Sequence, residues 1–147
     1  MTQQKYTTTQ LDSAKPGENT DSSNDIISMQ QIIEARERIM GAAHETPMDK
    51  SSTFAEKAGV ESVAFKIENF QKTGAFKIRG AYNKISQLSE EAKDRGVVAA
   101  SSGNHAQGVA LAAQELEVGA KIVMPENAAE SKIEATSGYG AEIVLFG

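Results

Sequence analysis

The stretch "VVAASSGNHAQGVALAAQELEVGAKIVM", residues 97–124, decides the fold because its hydrophobic periodicity changes twice. Residues 97–101 form a short apolar run that is typical of a buried strand, and residues 104–116 carry apolar side chains at helical spacing. Gly119 ends this helix, and residues 120–124 are predicted to form a second strand. The stretch therefore predicts a strand–helix–strand unit.

The same order of elements continues towards residue 147. A second helix is predicted over residues 128–138 and a third strand over residues 141–146. Strands that alternate with helices form parallel sheets with right-handed crossovers. The fold class is therefore predicted to be α/β, with a small domain at 97–147 built on a parallel three-stranded βαβαβ unit.

The first predicted helix begins at Ser28, which with Gln31 has the spacing of a capping box. We expect "ETP", residues 45–47, to end it, because the residue before a proline avoids the α region. Five apolar residues share one face of this helix: Ile32, Ile33, Ile39, Met40 and Ala43. The preceding residues, 1–24, contain too few apolar side chains to offset the entropy of ordering, so they are predicted to form a disordered tail.

Three more elements are predicted before residue 97. Thr53 and Glu56 have capping-box spacing and would open a short helix that Gly59 closes, and "VAFKIEN" from residue 63 alternates like a strand. A short helix is expected to begin at Ser89 and to run through Lys93.

The segment from Gly74 changes to helical periodicity, which places Lys77 in the first turn of a helix. The inward positions of that helix are Ile78, Ala81, Tyr82, Ile85 and Leu88. A single lysine on a helix is usually a solvated charge. The alternative is that its amine forms a Schiff base, which is favoured by burial and by positive neighbours such as Arg79 and a helix N-terminus.

The composition limits the function classes. The chain has 147 residues, a net charge of −5 and no cysteine. An acidic chain does not favour a nucleic-acid or anionic-membrane partner, and the lack of cysteine excludes disulfides and thiolate chemistry. No apolar run approaches a membrane span and no export signal is evident, so the sequence predicts a cytoplasmic protein.

The loop "SSGNHAQG", residues 101–108, lies at the carboxyl end of a predicted parallel strand and opens a helix. Ligands of open α/β sheets bind at this position, and free N–H groups of a helix N-terminus favour an anion. The alternative is an ordinary turn in which a serine or Asn104 caps the helix. Neither a P-loop nor a dinucleotide glycine spacing is present.

Two of these segments resemble motifs of the serine/threonine dehydratases, pyridoxal-phosphate enzymes of fold type II related to the tryptophan synthase β subunit. "TGAFKIRGA", residues 73–81, resembles their cofactor-attachment segment, and "ASSGNHAQGVA", residues 100–110, resembles their asparagine loop. "ARERI", "ETPM" and "KIENFQ" match in order and spacing as well. The resemblance covers roughly residues 25–147, and it is greatest to the threonine dehydratases.

The resemblance implies a role for individual residues. Lys77 would form the Schiff base with pyridoxal 5'-phosphate and move the Cα proton of the substrate, with Phe76 beside the ring. Asn104 would bond the ring hydroxyl. The substrate carboxylate would lie among Ser101, Ser102, Gly103 and His105. The implied reaction converts L-threonine to 2-oxobutanoate, or L-serine to pyruvate, with release of ammonia.

The resemblance also implies that the chain is the N-terminal part of a longer catalytic unit. Its twelve glycines include no Gly-Gly pair, whereas the family holds the cofactor phosphate with a glycine-rich loop from the second half of the unit. Residues 25–96 would belong to the large domain, whose apolar faces would lack part of their cover. The chain alone is then expected to be inactive, and the full-length parent to be a homo-oligomer in amino-acid metabolism, including isoleucine biosynthesis.

Several alternatives remain open. Ser102 stands where many threonine dehydratases have alanine, and a serine there is linked to proton transfer in serine racemases, so a serine racemase or serine dehydratase is the second hypothesis. Ala75, where the family usually has serine, changes little. Two further hypotheses are a non-catalytic remnant that binds anions or partners through the loop at 101–105, and a partial α/β domain with no activity. His105 either has a chemical role or simply caps its helix, and His44 is expected at a helix end. Glu115 and Glu117 are expected on a solvent-exposed helix face. No spacing predicts a metal site.

Overall fold

A computed structural model describes residues 27–147 of the chain, so the predicted tail at 1–24 lies outside the described residues. The helices are α1 (Met29–Arg38), α2 (Ser52–Ala58), α3 (Lys77–Ile85), α4 (Glu90–Arg95), α5 (Asn104–Glu115) and α6 (Glu130–Ser137). The strands are β1 (Met48–Lys50), β2 (Ala64–Lys66), β3 (Val97–Ala100), β4 (Ala120–Met124) and β5 (Glu142–Leu145). A 3₁₀ turn, Glu68–Phe70, follows β2.

The predicted parallel sheet is confirmed. Strand β4 lies in the centre, with β3 and β5 parallel to it on either side, and helices α5 and α6 form the two crossovers. Val97 pairs with Ala120, and Lys121 pairs with Glu142. The prediction that β3 is a buried strand is wrong in one respect: Val98 is 72% exposed, because side chains alternate along β3 between a half-buried face and an exposed face.

Helix α5 lies at the centre of the hydrophobic core. Every residue from 106 to 113 is buried, and four of them are alanines, whose small side chains let neighbouring elements approach from several directions. Ile78 and Ile85 of α3 join Ile122 of β4 in the same core cluster. This cluster contains residues from both sides of the domain boundary predicted at 96/97, and the boundary itself remains a prediction.

Helix α1 begins as predicted and ends earlier than predicted. Ser28 Oγ accepts a hydrogen bond from the Gln31 amide, and the Gln31 side chain accepts one from the Ser28 amide, which confirms the capping box. The prediction that "ETP" ends the helix is wrong. The helix ends at Arg38 because Gly41, at φ 82°, turns the chain through a left-handed conformation before the proline is reached.

The apolar face of α1 is largely solvent-exposed within the described residues. Ile32 is 53% exposed, Ile33 44% and Met40, just beyond the helix, 70%. This matches the expectation that faces of the N-terminal segment lack part of their cover. Isolated exposed apolar residues are common, whereas several on one face indicate a surface that packs against something else.

Two local predictions between residues 48 and 66 are wrong. Ser51, not Thr53, caps α2, because pairing of β1 with β2 holds Ser51 in an extended conformation from which its hydroxyl accepts the Phe54 amide. Strand β1 was not predicted, since three residues are too few to show a periodicity. Strand β2 is shorter than the predicted 63–68.

Helices α3 and α4 agree closely with prediction. Lys77 is the first residue of α3, and Ile78, Ala81 and Ile85 are buried. Ser89 caps α4 by accepting a hydrogen bond from the Ala92 amide, and the helix continues two residues past the predicted Lys93. These elements place the start of α3 against the body of α5.

Candidate active site

The N-terminus of α5 has no side-chain cap. Gly103 is the N-cap residue and has no side chain with which to cap the helix, so the alternative interpretation in which a serine or Asn104 caps it is wrong, as is the alternative of a capping role for His105. The Ser101 hydroxyl instead accepts the Gly103 amide at 3.2 Å within the loop. The N–H groups of the first turn therefore remain without a side-chain partner, which is the arrangement that binds an anion.

The polar side chains of this loop are accessible. Ser102, Asn104 and His105 are exposed, and none of them makes a side-chain hydrogen bond to another residue within 27–147. Ser101 and Gly103 are half-buried. The loop thus presents a hydroxyl, an amide and an imidazole beside the uncapped helix terminus.

Lys77 begins α3 with an exposed side chain. Its Nζ lies 4.6 Å from the centroid of the Phe76 ring, in a cation–π contact, and Phe76 is itself 56% exposed. Among the described residues, no carboxylate forms an ion pair with this amine. Phe76 is the N-cap residue of α3 and has no capping side chain, so the amine stands close to a second helix N-terminus without a cap.

Gly108 brings Lys77 and the loop together. A Cβ atom on Gly108 would lie 2.9 Å from the Lys77 carbonyl carbon and 3.1 Å from its Cβ, so the backbones of α5 and α3 are in direct contact there. Gly108 is one helical turn after Asn104, or about 6 Å along the axis. The structure therefore places Lys77 within about a turn of the α5 N-terminus.

A polar cluster lies on another side of the α3 first turn. The Arg79 guanidinium donates to both carboxylate oxygens of Glu68, at 2.7 and 3.0 Å, and to the His44 carbonyl at 2.9 Å. The Thr46 hydroxyl also donates to Glu68. The Arg79 hydrogen bonds lower the pKa of Glu68 to about 2, with smaller contributions from Thr46 and the charge of Arg79, against the opposing effect of burial. Hydrogen bonding to Glu68 likewise raises the pKa of Arg79.

This cluster corrects two predictions. The positive charge of Arg79, expected to act on Lys77, is balanced by Glu68. His44 is not at a helix end: its Nδ1 lies 3.2 Å from the Phe70 carbonyl oxygen, and its amide donates to Gln71. The cluster joins three segments singled out in the sequence, "ETPM", "KIENFQ" and "TGAFKIRGA". These contacts were not predicted from the sequence, because hydrophobic periodicity carries no signal for a contact between side chains that are distant in the chain.

Glu115 is also not simply solvated. Its carboxylate forms an ion pair with Lys72 at 2.6 Å, and both side chains are about one-quarter exposed. Lys72 precedes the "TGAFK" segment and Glu115 is the last residue of α5, so the pair links the two elements that carry the candidate site. Glu117 is exposed, as predicted.

A cavity of about 430 Å³ is present whose lining residues do not include Lys77. Its walls include Arg36, Met40, Glu45 and Lys66, together with Thr46 and Arg79 of the polar cluster. Within residues 27–147, no group of three histidines or carboxylates is arranged to hold a metal ion, and no helix is long and apolar enough to cross a membrane.

Comparison with known proteins gives a family match over most of the chain. The family model described as "Pyridoxal-phosphate dependent enzyme" matches residues 39–147. The chain belongs to the pyridoxal-phosphate-dependent enzyme family. Pyridoxal phosphate is the family's cofactor, so both the predicted family and the predicted cofactor are confirmed.

Individual members of the family are similar over most of this chain. It is 53% identical to an L-threonine ammonia-lyase of Thermotoga maritima over 83% of its length, and 48% identical to a catabolic L-threonine dehydratase of Escherichia coli over 82%. These alignments cover 30% and 36% of the relatives. The structure of maize serine racemase matches with a TM-score of 0.72 and 47% identity, over 78% of this chain and 34% of that one. The chain thus spans about a third of the length of the proteins it matches.

The described residues fit part of a pyridoxal-phosphate site. An amine that reacts with the cofactor aldehyde must be accessible and must not be held in an ion pair with a carboxylate. Lys77 meets both requirements among the described residues. Phe76 offers an aromatic ring beside the amine, and the uncapped α5 terminus, about one helical turn from the Gly108 contact with the Lys77 backbone, favours an anion. These residues fit the aldehyde end of the cofactor and a substrate carboxylate.

Proposed function

We propose that the protein carrying this chain is a threonine ammonia-lyase that converts L-threonine to 2-oxobutanoate and ammonia, and L-serine to pyruvate. The observation that supports the proposal most strongly is the contact of Gly108 with the Lys77 backbone and Cβ, about one helical turn from the uncapped N-terminus of α5. The similarity to two enzymes named for threonine deamination supports the choice of substrate.

Each residue of the site has a proposed task. Bound pyridoxal phosphate withdraws electron density from Cα of the amino acid, which weakens the bonds to that carbon. Lys77 would bind the cofactor through Nζ, and the same nitrogen would later carry the proton of the substrate Cα. Phe76 would lie beside the ring, and Asn104 would bond its hydroxyl.

The loop at the α5 N-terminus would bind the substrate carboxylate. Its free N–H groups attract an anion, and the side chains of Ser101, Ser102 and His105 border them. Gly103 lets the carboxylate approach the backbone closely. This orientation would leave the Cα proton on the side from which Lys77 reaches it.

Borohydride trapping tests the role of Lys77. Incubation of the protein with pyridoxal phosphate, reduction and peptide mass spectrometry should find the pyridoxyl group on Lys77. Lys77→Ala should lose both the label and oxobutanoate formation, whereas Lys84→Ala, which removes an exposed lysine of the same helix, should keep both. Labelling spread evenly over the lysines would contradict the proposal.

We also propose that residues 1–147 alone are nearly inactive, since they span about a third of the relatives' length. Oxobutanoate formation by the isolated chain should not exceed that of its Lys77→Ala variant. Mixing it with the remaining part of the parent protein should raise activity if the two parts reassociate. We also propose that the full-length protein acts in isoleucine biosynthesis, that it is cytoplasmic and that it forms a homo-oligomer.

Serine racemisation is the second candidate, and two observations favour it: the exposed Ser102 hydroxyl in the loop and the similarity to maize serine racemase. A racemase must deliver a proton to the face of Cα opposite the lysine, and Ser102 offers a hydroxyl for that purpose. If this is the activity, the protein forms D-serine from L-serine, and Ser102→Ala abolishes racemisation while pyruvate formation continues. Without D-serine formation, the lyase assignment stands alone.

A further inference from the structure

We propose that Glu68 is a positioning residue for Lys77, acting through Arg79 and Thr46. This inference rests on the proposed function, because it takes Lys77 to be the lysine that holds the cofactor. Glu68 is not a catalytic residue in this scheme. Its task is to fix the orientation of the α3 first turn, from which the amine projects.

The contacts between Arg79 and Glu68 are directional. Nε donates to one carboxylate oxygen at 3.0 Å and a terminal nitrogen donates to the other at 2.7 Å, which is the two-point geometry of a guanidinium–carboxylate pair. The Glu68 side chain is only 16% exposed and the Arg79 side chain 29%. Two hydrogen bonds restrict rotation of the Arg79 side chain far more than the single contact that a lysine ammonium group would make at this position.

The remaining partners attach this pair to a separate part of the chain. Thr46, which is 6% exposed, donates its hydroxyl to Glu68, and the His44 carbonyl accepts from Arg79. Gln71, which is 4% exposed, bonds both the amide and the carbonyl of His44. Arg79 is therefore connected to an ordered group of buried polar residues rather than to a mobile side chain.

Helix geometry places this attachment away from the Gly108 contact. Residues two apart on a helix project about 200° apart around the axis, so Arg79 leaves α3 on nearly the opposite side from Lys77. Gly108 contacts the backbone and Cβ of Lys77. The first turn of α3 is therefore held on two sides, and rotation about its axis is restricted by Arg79 and Glu68.

The test measures how fast the Lys77 amine reacts with an aldehyde, in the protein that carries this chain. Pyridoxal phosphate is the probe, and imine formation is followed by absorbance, with borohydride trapping to assign it to Lys77. Glu68→Gln keeps the shape but removes the charge, and we expect it to slow labelling of Lys77 roughly tenfold or more, because a small misplacement of a reacting group is costly. Glu61→Gln, which changes an exposed carboxylate, should label at the wild-type rate.

Two further variants separate positioning from folding. The exchange Glu68→Arg with Arg79→Glu restores the charge pair but not the hydrogen bond to the His44 carbonyl, and it should recover part of the labelling rate that Glu68→Gln loses. Thr46→Val removes the hydrogen bond to Glu68 and a long hydrogen bond from Arg79, leaves both Arg79–Glu68 hydrogen bonds in place, and should slow labelling less. Thermal unfolding of each variant shows whether it is folded, and Thr46→Val decides the matter if Glu68→Gln is not.

The results distinguish two failures. Folded variants that label Lys77 at the wild-type rate would overturn the positioning role while leaving the proposed function intact. A wild-type protein that shows no preference for Lys77 over other lysines would overturn the proposed function, and the role of Glu68 with it.

Discussion

Gly108 of α5 lies so close to Lys77 of α3 that a methyl group on Gly108 would come within 2.9 Å of the Lys77 carbonyl carbon. Carbon atoms that are not bonded prefer separations of about 3.5–4.0 Å. A side chain at position 108 would therefore push α3 away from α5. The absence of a side chain at this position sets how closely the lysine approaches the asparagine loop.

Gly108→Ala is expected to destabilise the protein by roughly 1–3 kcal/mol, because overpacking forces the two helices apart. It should also slow labelling of Lys77 by pyridoxal phosphate. Denaturant unfolding measures the first effect. Gly80→Ala is the matched control, since a Cβ there would meet nothing within 4 Å, and its higher helix propensity should stabilise α3 by up to about 1 kcal/mol. Equal effects at both positions would contradict the close-contact interpretation.

Stability should decrease in acid through the titration of Glu68. Its pKa is lowered from 4.5 to about 2 in the folded protein, so the unfolded chain takes up this proton more readily. The contribution is fully present above pH 4.5 and is lost as the pH falls towards about 2. Urea unfolding midpoints measured over this range should fall more steeply for the wild type than for Glu68→Gln. Parallel curves would show that Glu68 does not contribute.

The Lys72–Glu115 pair should stabilise the protein more than an exposed pair does. Its nitrogen and oxygen are 2.6 Å apart and both side chains are about one-quarter exposed. A double-mutant cycle should give a coupling of about 1 kcal/mol. The Arg95–Glu91 pair, with side chains 64% and 86% exposed, serves as the comparison and should give about 0.5 kcal/mol or less. If the coupling energy of Lys72–Glu115 were smaller than that of Arg95–Glu91, the pair would not stabilise the contact between α5 and the segment that precedes α3.

Ile78 should be among the most costly core positions to truncate. It is completely buried and sits one residue after Lys77, in the core shared by α3 and α5. Ile78→Ala is expected to cost about 2–5 kcal/mol in unfolding free energy, through lost burial and the cavity left behind. Val98→Ala, at a position that is 72% exposed, should change stability by less than about 0.5 kcal/mol. A small effect at Ile78 would mean that the shared core does not hold α3 in place.

Elements with a strong local signal were predicted well. The parallel βαβαβ unit, the Ser28 capping box and the placement of Lys77 at the start of a helix all follow from periodicity and capping, which depend on residues a few positions apart. The predicted end of α1 and the predicted N-cap of α2 were wrong. Several residues could have ended α1 or capped α2, and the neighbouring structure decided which of them did so.

The sequence by itself determined the parallel βαβαβ unit and the order of the helices, the family to which the chain belongs and the residues that carry its motifs. Only the tertiary structure decided that Gly108 contacts Lys77, that no side chain caps α5 at Gly103, and that Arg79 pairs with Glu68. The physical reason is that the contacts of Gly108 with Lys77 and of Arg79 with Glu68 join residues 31 and 11 positions apart, whereas at the start of α5 several neighbouring residues could have served as the cap. Their distances are fixed by how helices pack around the core, and no local pattern of residues encodes such a distance.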